Sequence, residues 1–346
     1  MAFMEGGSRV VMTLADQLDW SIVTGCASDN QLVVLDSYKL KVTTLGRNFS
    51  LPLVRAHSVY QRWKKYTSQK KVLIYSGNYT PLAAGNNQRS RNIYYCHTPP
   101  RFVFDQYHYF LENVPTLLRP MYRHIIARYR IDYLTAISEM DVVLANSKNV
   151  SLRIKQYLNI EANIVYPPCN IDRFFSHSSD NYYLSTARLD PLKRVDRIVR
   201  AFIKMPDKKL VVISTGSELK RLQRLADQAD NIHFLGEVSD EKLRSLLSRC
   251  IATIYVPVDE DFGLSPVESL ASGKPVIGVS EGGICETVTD GETGILLKKN
   301  PTEWDIVDTI SKLTATKAML MHNACIFAAR KFSTTRFVDE IKQYIA

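Results

Sequence analysis

Short apolar runs alternate with amphipathic stretches along most of the 346 residues. Lys71–Gly77 (KVLIYSG), Ile93–Cys96, the DVVLA run ending at Ala145, Tyr182–Ser185, KLVVIS before Thr215, NIHFLG ending at Gly236 and Pro275–Val279 are apolar and bounded by turn residues. That is the pattern of parallel strands covered on both faces. Between them lie helical patterns: Leu51–Tyr66, the segment that Ser147 caps, the segment after the Gly216 turn, and VESLASG, which stops at Gly273. Three earlier runs, Ser21–Gly25, Gln31–Asp36 and Lys41–Gly46, read as strands or connections. The alternation predicts an α/β fold with parallel sheets and functional groups gathered at the strand C-terminal ends.

The stretch Glu260–Val288 carries the most chemistry. Glu260 and Glu268 stand eight residues apart, separated by the turn-forming Phe262-Gly263-Leu264-Ser265-Pro266. A helix beginning there offers unpaired N–H groups and the positive end of its dipole to an anion, usually phosphate. A carboxylate is a poor phosphate ligand but a good acceptor for sugar hydroxyls. One phosphate site flanked by two hydroxyl acceptors describes a nucleotide sugar, although a surface carboxylate pair of no role has the same spacing.

The stretch closely resembles the E-x7-E signature of family 4 retaining glycosyltransferases. The likeness continues through a GG-x-x-E turn (Gly282, Gly283, Glu286) and Asp290–Pro301, DGETGILLKKNP. It implies the GT-B fold: two Rossmann-like domains facing a cleft, with a C-terminal helix crossing back to the first. Further segments agree. CHTPPR, Cys96–Arg101, resembles the C-H-[ST]-P-x-R segment of members that make bacterial polysaccharides, many of them mannosyltransferases. PPCNIDRF, Pro167–Phe174, resembles the family's interdomain linker, and a double proline stiffens such a connection. ARLDPLKRVD, Ala187–Asp196, resembles G-R-L-x-x-x-K-x-x-D, with Thr186-Ala187 where glycine is more usual. The expected domains are 1–168 for the acceptor, 169–334 for the donor, and a returning helix over 335–346.

The resemblance also implies roles. Glu260 holds the donor sugar and Glu268 the ribose. Backbone groups of Phe262, Gly263, Leu264 and Val267 hold the diphosphate, while Gly216 and Val238 contact the base. Arg188 and Lys193 neutralise the leaving diphosphate; a guanidinium fork and an ammonium point charge both suit that task. His97 lies by the donor sugar, where an imidazole can donate to a hydroxyl or carry a proton, although a structural histidine at a strand end has the same sequence pattern. Arg101 would hold an acceptor phosphate, with Asp105 a weaker candidate. Gly6 and Gly7 form a glycine loop for the acceptor. Only Met1–Glu5 precede these glycines, so the usual first strand is expected to be very short or the start truncated.

Composition narrows the rest. Hydrophobic content of 45% and charged content of 23% are those of a soluble globular protein. No apolar run approaches a membrane span, and Met1–Val11 lacks the apolar centre of a signal peptide. Six scattered cysteines without a C-x-x-C pair argue against a disulfide scaffold or zinc site and suit a reducing cytosol. The net charge of +9 is uneven: residues 1–171 hold 20 Lys and Arg against 11 Asp and Glu, whereas 172–346 hold 24 against 24. A basic first half, with Tyr and Arg interleaved over residues 107–137, points to an anionic partner such as a membrane surface or a lipid diphosphate; a basic solvent-facing helix has the same composition. No nucleic-acid-binding motif is present.

The expected function is a metal-independent, cofactor-free retaining hexosyltransferase in the cytoplasm, peripheral to the inner membrane face. It moves mannose from GDP-mannose to a lipid-linked or polysaccharide acceptor. A UDP-sugar enzyme of the same fold and a non-catalytic nucleotide-sugar-binding paralogue remain alternatives. A 2-epimerase would need an acid and base at the sugar C2, for which no pair is evident. Asp259-Glu260-Asp261 is not read as a metal-binding D-x-D.

Overall fold

The computed structural model describes residues 6–346. Met1–Glu5, where the short leading strand was expected, lie outside the described residues. The chain divides into two units: one runs to Tyr166 and takes in Phe337–Ala346, the other spans Pro167–Arg336.

In the first unit, β1 (Ile22–Thr24) and β2 (Val42–Thr44) form a parallel pair. β3 (Val72–Ser76), β4 (Arg91–Cys96), β5 (Val142–Ala145) and β6 (Asn163–Ile164) form a separate four-stranded parallel sheet in sequence order. A cavity of about 560 Å³ lies between Ser21–Val23 and Val72–Ser76, lined also by Leu14, Trp63 and Tyr66. β4 is buried from Asn92 to Cys96, which explains its unbroken apolar spelling. Tyr94 and Tyr133 meet inside the core, hydroxyl to hydroxyl at 3.1 Å, so neither phenol is buried without a partner.

Two expectations change here. Gly6 and Gly7 are not a loop; they open the helix Gly6–Leu18, which buries Val10, Leu14 and Ala15. Glycine weakens a helix least in its first turn, where the amides have no intrahelical acceptor anyway. Gln31–Asp36 is not a strand or connection but part of the helix Asp29–Ser37. Ser28 and Gln31 close a reciprocal capping box at its start, and that local pairing outweighs the β-branched Val-Val.

The C-terminal helix Thr334–Ile345 belongs to the first unit from Phe337 onward. Phe337, Val338 and Ile341 pack with Val10, Leu14, Ile93, Tyr95, Leu144 and Val165. The Arg91 guanidinium donates to the Ala346 carbonyl at 2.6 Å.

The second unit holds β7 (Tyr182–Ser185), β8 (Lys209–Ile213), β9 (Ile232–Gly236), β10 (Thr253–Ile254), β11 (Val276–Val279) and β12 (Gly294–Leu297). Its sheet is parallel throughout, in the order β12-β11-β10-β7-β8-β9. This is the Rossmann order, in which the chain starts in the middle, builds one side, then returns to build the other. Tyr183, Leu184, Leu210, Val212, Ile254, Val276 and Ile277 form its nearly dry centre. The helix expected after Pro266 begins two residues earlier, at Leu264, and ends at Ala271. Gly273, just beyond, is left-handed at φ +66°.

Candidate functional site

Strand order places the site. β7 and β10 are neighbours, yet their chains depart to opposite sides of the sheet, and ligands of doubly wound folds bind where that reversal opens a crevice. Lys193 ends a short turn, Pro191–Lys193, after β7. Glu260 follows β10. Lys193 Nζ lies 2.5 Å from Glu260 Oε2, and both side chains are under a fifth exposed, at 18% and 16%. The Tyr255 hydroxyl accepts from the same ammonium at 3.4 Å. Burial works against the Lys193 charge, but Tyr255 and Glu260 raise its pKa above the usual lysine range. The ammonium is therefore charged at neutral pH and has a third N–H to offer.

The neighbouring loop is held by close backbone packing. Gly283 N–H donates to the Glu260 carbonyl at 2.8 Å. Gly282 sits at φ +64°, and a Cβ there would fall 2.5 Å from the Glu260 carbonyl oxygen; only glycine meets both conditions. Gly263, also left-handed, precedes the helix Leu264–Ala271, whose start has no side-chain cap. Its first amides point away from the helix body as free donors, save at Pro266, which has none. Phe262 packs edge-on against Phe332 at 5.3 Å, and Val267 is wholly buried. Those two positions can face a ligand only through the backbone. Glu268 lies in the second turn of this helix and is 7% exposed.

Arg188 precedes this turn and pairs within its own loop. Its Nε donates to Asp190 at 2.9 Å, and the side chain is 59% exposed. Gly216 backs onto the same loop: a Cβ would lie 2.1 Å from the Leu189 carbonyl oxygen. Val238 leads into the helix Asp240–Arg249 and packs on the cluster around Tyr182, Leu184 and Leu247.

In the first unit, His97 follows β4, and its Nε2 lies 2.7 Å from Ser76 Oγ at the end of β3. Tyr95 meets its ring edge-on at 5.2 Å, and a Cβ on Gly7 would stand 3.2 Å from Nε2. The helix start with Gly6 and Gly7 thus covers the imidazole. Burial pushes the His97 pKa down to about 4, so the ring is neutral at pH 7 and serves as a hydrogen-bonding group rather than a cation. The following turn is fixed by Arg153, which donates to Thr98 Oγ1 at 3.1 Å. Arg101 forks onto Asp105, at 2.8 Å from Nε and 2.6 Å from its terminal nitrogen; an acceptor phosphate at Arg101 would compete with that carboxylate.

Residues 170–332 match the family described as "Glycosyl transferases group 1". That match spans nearly the whole of the second unit. Alpha-1,3/1,6-mannosyltransferase ALG2 of Dictyostelium discoideum is 28% identical to the chain over 272 residues, 65% of this chain and 62% of that protein. A D-inositol 3-phosphate glycosyltransferase of Mycobacteroides abscessus is 28% identical over 229 residues, 59% of this chain and 51% of that protein. The chain thus spans between about half and two thirds of these relatives' length. Among solved structures, Anabaena Alr3699/HepE in complex with UDP gives a TM-score of 0.74 at 17% identity, covering 98% of this chain and 95% of that one. The apo lipopolysaccharide outer core galactosyltransferase WaaB gives 0.69 at 14% identity. The solved structures are alike in fold: the chain shares the GT-B architecture of two Rossmann-like α/β units.

Four residues of these surroundings escaped the sequence reading: Ser76, Arg153, Tyr255 and Glu281, whose Oε1 lies 2.8 Å from an Arg194 terminal nitrogen. Ser76 and Tyr255 each stand at or just past the end of a strand facing a named candidate, and that position was the available signal. Arg153 and Glu281 carry no local signature. Among the described residues no group of three or more His, Cys, Asp or Glu is placed to hold a metal ion, and no helix is long and apolar enough to cross a membrane.

Proposed function

We propose that the protein is a retaining hexosyltransferase that moves mannose from GDP-mannose to a lipid-linked or polysaccharide acceptor. The observation carrying this reading is the Lys193–Glu260 pair at the sheet reversal, beside an uncapped helix start. The anion of a nucleoside diphosphate fits the amides of Gly263, Leu264 and Ser265, with Lys193 and Arg188 neutralising its charge. Glu260 accepts from hexose hydroxyls and Glu268 from the ribose diol. His97, neutral, donates to or accepts from a sugar hydroxyl; Gly6, Gly7 and Arg101 receive the acceptor. The bond from C1 of the sugar to the diphosphate breaks, and the acceptor hydroxyl oxygen bonds C1 on the same face. Its proton passes to the departing phosphate oxygen, which needs no enzyme nucleophile and no metal. The mannosyltransferase relatives favour mannose over other hexoses.

The test is a thermal-shift screen with GDP, UDP, ADP and their sugars in the presence of a chelator. A ligand at about 100 times its Kd stabilises the folded state by about 2.7 kcal/mol. A shift with GDP and GDP-mannose alone, lost in Glu268→Ala, is expected. A UDP-only response would replace the donor and keep the transfer. No response from a folded sample would remove the donor site altogether.

The acceptor is reached at the cytoplasmic face of an anionic membrane. Tyr109, Phe110, Leu117, Leu118, Met121 and Ile125 are large apolar side chains at 39–90% exposure in one segment of the first unit. Over residues 106–130 the chain has four arginines and one acid, Glu112. Apolar side chains among arginines suit an interface with acidic headgroups. The protein is expected to float with phosphatidylglycerol vesicles but not phosphatidylcholine vesicles, and to lose flotation when Leu117, Met121 and Ile125 are all changed to serine. Failure to float with acidic vesicles at low salt would exclude this surface.

A further inference from the structure

Arg194 is placed against its local interests. It adopts left-handed backbone, φ 51° and ψ 32°, at the start of the helix Val195–Ile203. Glycine or asparagine would hold that conformation with less strain, and a cation is unfavourable at the positive end of a helix. Yet the side chain is nearly buried, at 9% exposure. Its contacts lie elsewhere. One terminal nitrogen donates to Glu281 Oε1 at 2.8 Å and to the Pro257 carbonyl at 3.3 Å. The same Glu281 oxygen accepts from the Asp259 amide at 3.3 Å.

Three loops meet at this point: the turn after β7 that carries Lys193, the loop after β10 that carries Glu260, and the loop after β11 that carries Glu281. Backbone contacts between them flank the pair. Val258 N–H donates to the Leu192 carbonyl at 2.7 Å, and Gly283 N–H donates to the Glu260 carbonyl at 2.8 Å. Arg194 is the residue after Lys193, and Asp259 is the residue before Glu260. A displacement of the guanidinium or of the Glu281 carboxylate is therefore transmitted directly to both members of the Lys193–Glu260 pair.

We propose that Arg194 and Glu281 form a latch across the three loops, and that these two positioning residues set where Lys193 and Glu260 present their charges to the diphosphate. The latch lies behind the reacting groups and touches no substrate. The proposal rests on the donor-site reading for its consequence in binding, but the latch itself can be read without any ligand.

Two variants test it. Arg194→Gly supplies a residue suited to the left-handed backbone and removes the guanidinium. Glu281→Gln keeps the shape and one acceptor oxygen but removes the charge. Hydrogen exchange of the ligand-free protein is followed in peptides covering 257–263 and 280–284. Faster exchange confined to these peptides is expected, with the melting temperature little changed because the glycine relieves strain as the ion pair is lost. GDP and UDP are titrated in parallel. For whichever binds the wild type, Kd is expected to rise about tenfold in Arg194→Gly and about threefold in Glu281→Gln, and the double variant to be no worse than the first. Additive losses, or unchanged exchange in both peptides, would overturn the latch. If Arg194→Gly fails to fold, the near-isosteric Glu281→Gln decides by the same exchange readout. Absence of any nucleotide binding in the wild type would count against the donor site alone, since exchange still reads the latch.

Discussion

Lys193→Ala is expected to lower release of nucleoside diphosphate from the proposed nucleotide-sugar donor by roughly 10²–10³-fold in kcat, the cost of losing one preorganised charged donor at a departing oxyanion. The argument starts from the pair's position. Lys193 and Glu260 are brought within 2.5 Å by the adjacency of β7 and β10, at the one crevice this strand order opens for a ligand. The ammonium is held charged by Tyr255 and Glu260, so protonation does not limit it near neutral pH. Removing it leaves the Glu260 carboxylate facing the same crevice as the diphosphate with less compensation, which weakens the transition state more than donor binding. Lys193→Arg should recover only part of the rate, because a planar fork cannot occupy the place of a compact point charge. The variants are first checked for a folded second unit by circular dichroism. A folded Lys193→Ala protein with kcat within about threefold of wild type would remove the pair from the reaction, since a charged donor at the leaving group is worth far more than that.

Much of the architecture was legible in the spelling of the chain, and the reasons are specific. Tyr182–Ser185 and Val276–Val279 are buried at every residue, so a central parallel strand has no polar position to interrupt its apolar run. Gly273 stops a helix because it takes up left-handed backbone, and Ser147 caps one through its hydroxyl to the Val150 amide. Gln31–Asp36 was misread because a short run of apolar residues has no period long enough to separate helix from strand. The Ser28…Gln31 spacing was the better guide. Candidate residues could be picked out where their spacing is local, as in Glu260 to Glu268. Distant partners were not legible: Lys193 reaches Tyr255 across 62 residues and Arg194 reaches Glu281 across 87. Nothing in the neighbourhood of either residue announces the other. Only the order in which the strands assemble brings them together.

Gly216→Ala is expected to unfold the second unit earlier and to disturb the loop that carries Arg188. Gly216 follows β8, and its α-carbon abuts the loop after β7. A Cβ would lie 2.1 Å from the Leu189 carbonyl oxygen and 2.5 Å from its carbonyl carbon. These are backbone atoms of a fully buried residue, so no side chain can turn aside to make room. The two loops are also tied together on both sides of the contact. Leu189 N–H donates to the Thr215 carbonyl and Glu218 N–H to the Leu189 carbonyl, each at 2.9 Å. The added methyl must therefore break one of these bonds or push the Leu189 peptide toward Arg188. Overpacking of this kind costs about 1–3 kcal/mol, which in a unit of this size lowers the melting temperature by about 2–12 °C. Gly85→Ala is the control, because nothing lies within 4 Å of the position its Cβ would take. Its effect should stay within about 0.5 kcal/mol. Melting of the two variants side by side, with GDP titrated into each, separates the outcomes. Equal melting temperatures and equal binding would mean that the two loops are free to move apart, and Gly216 would then have no part in shaping the donor site.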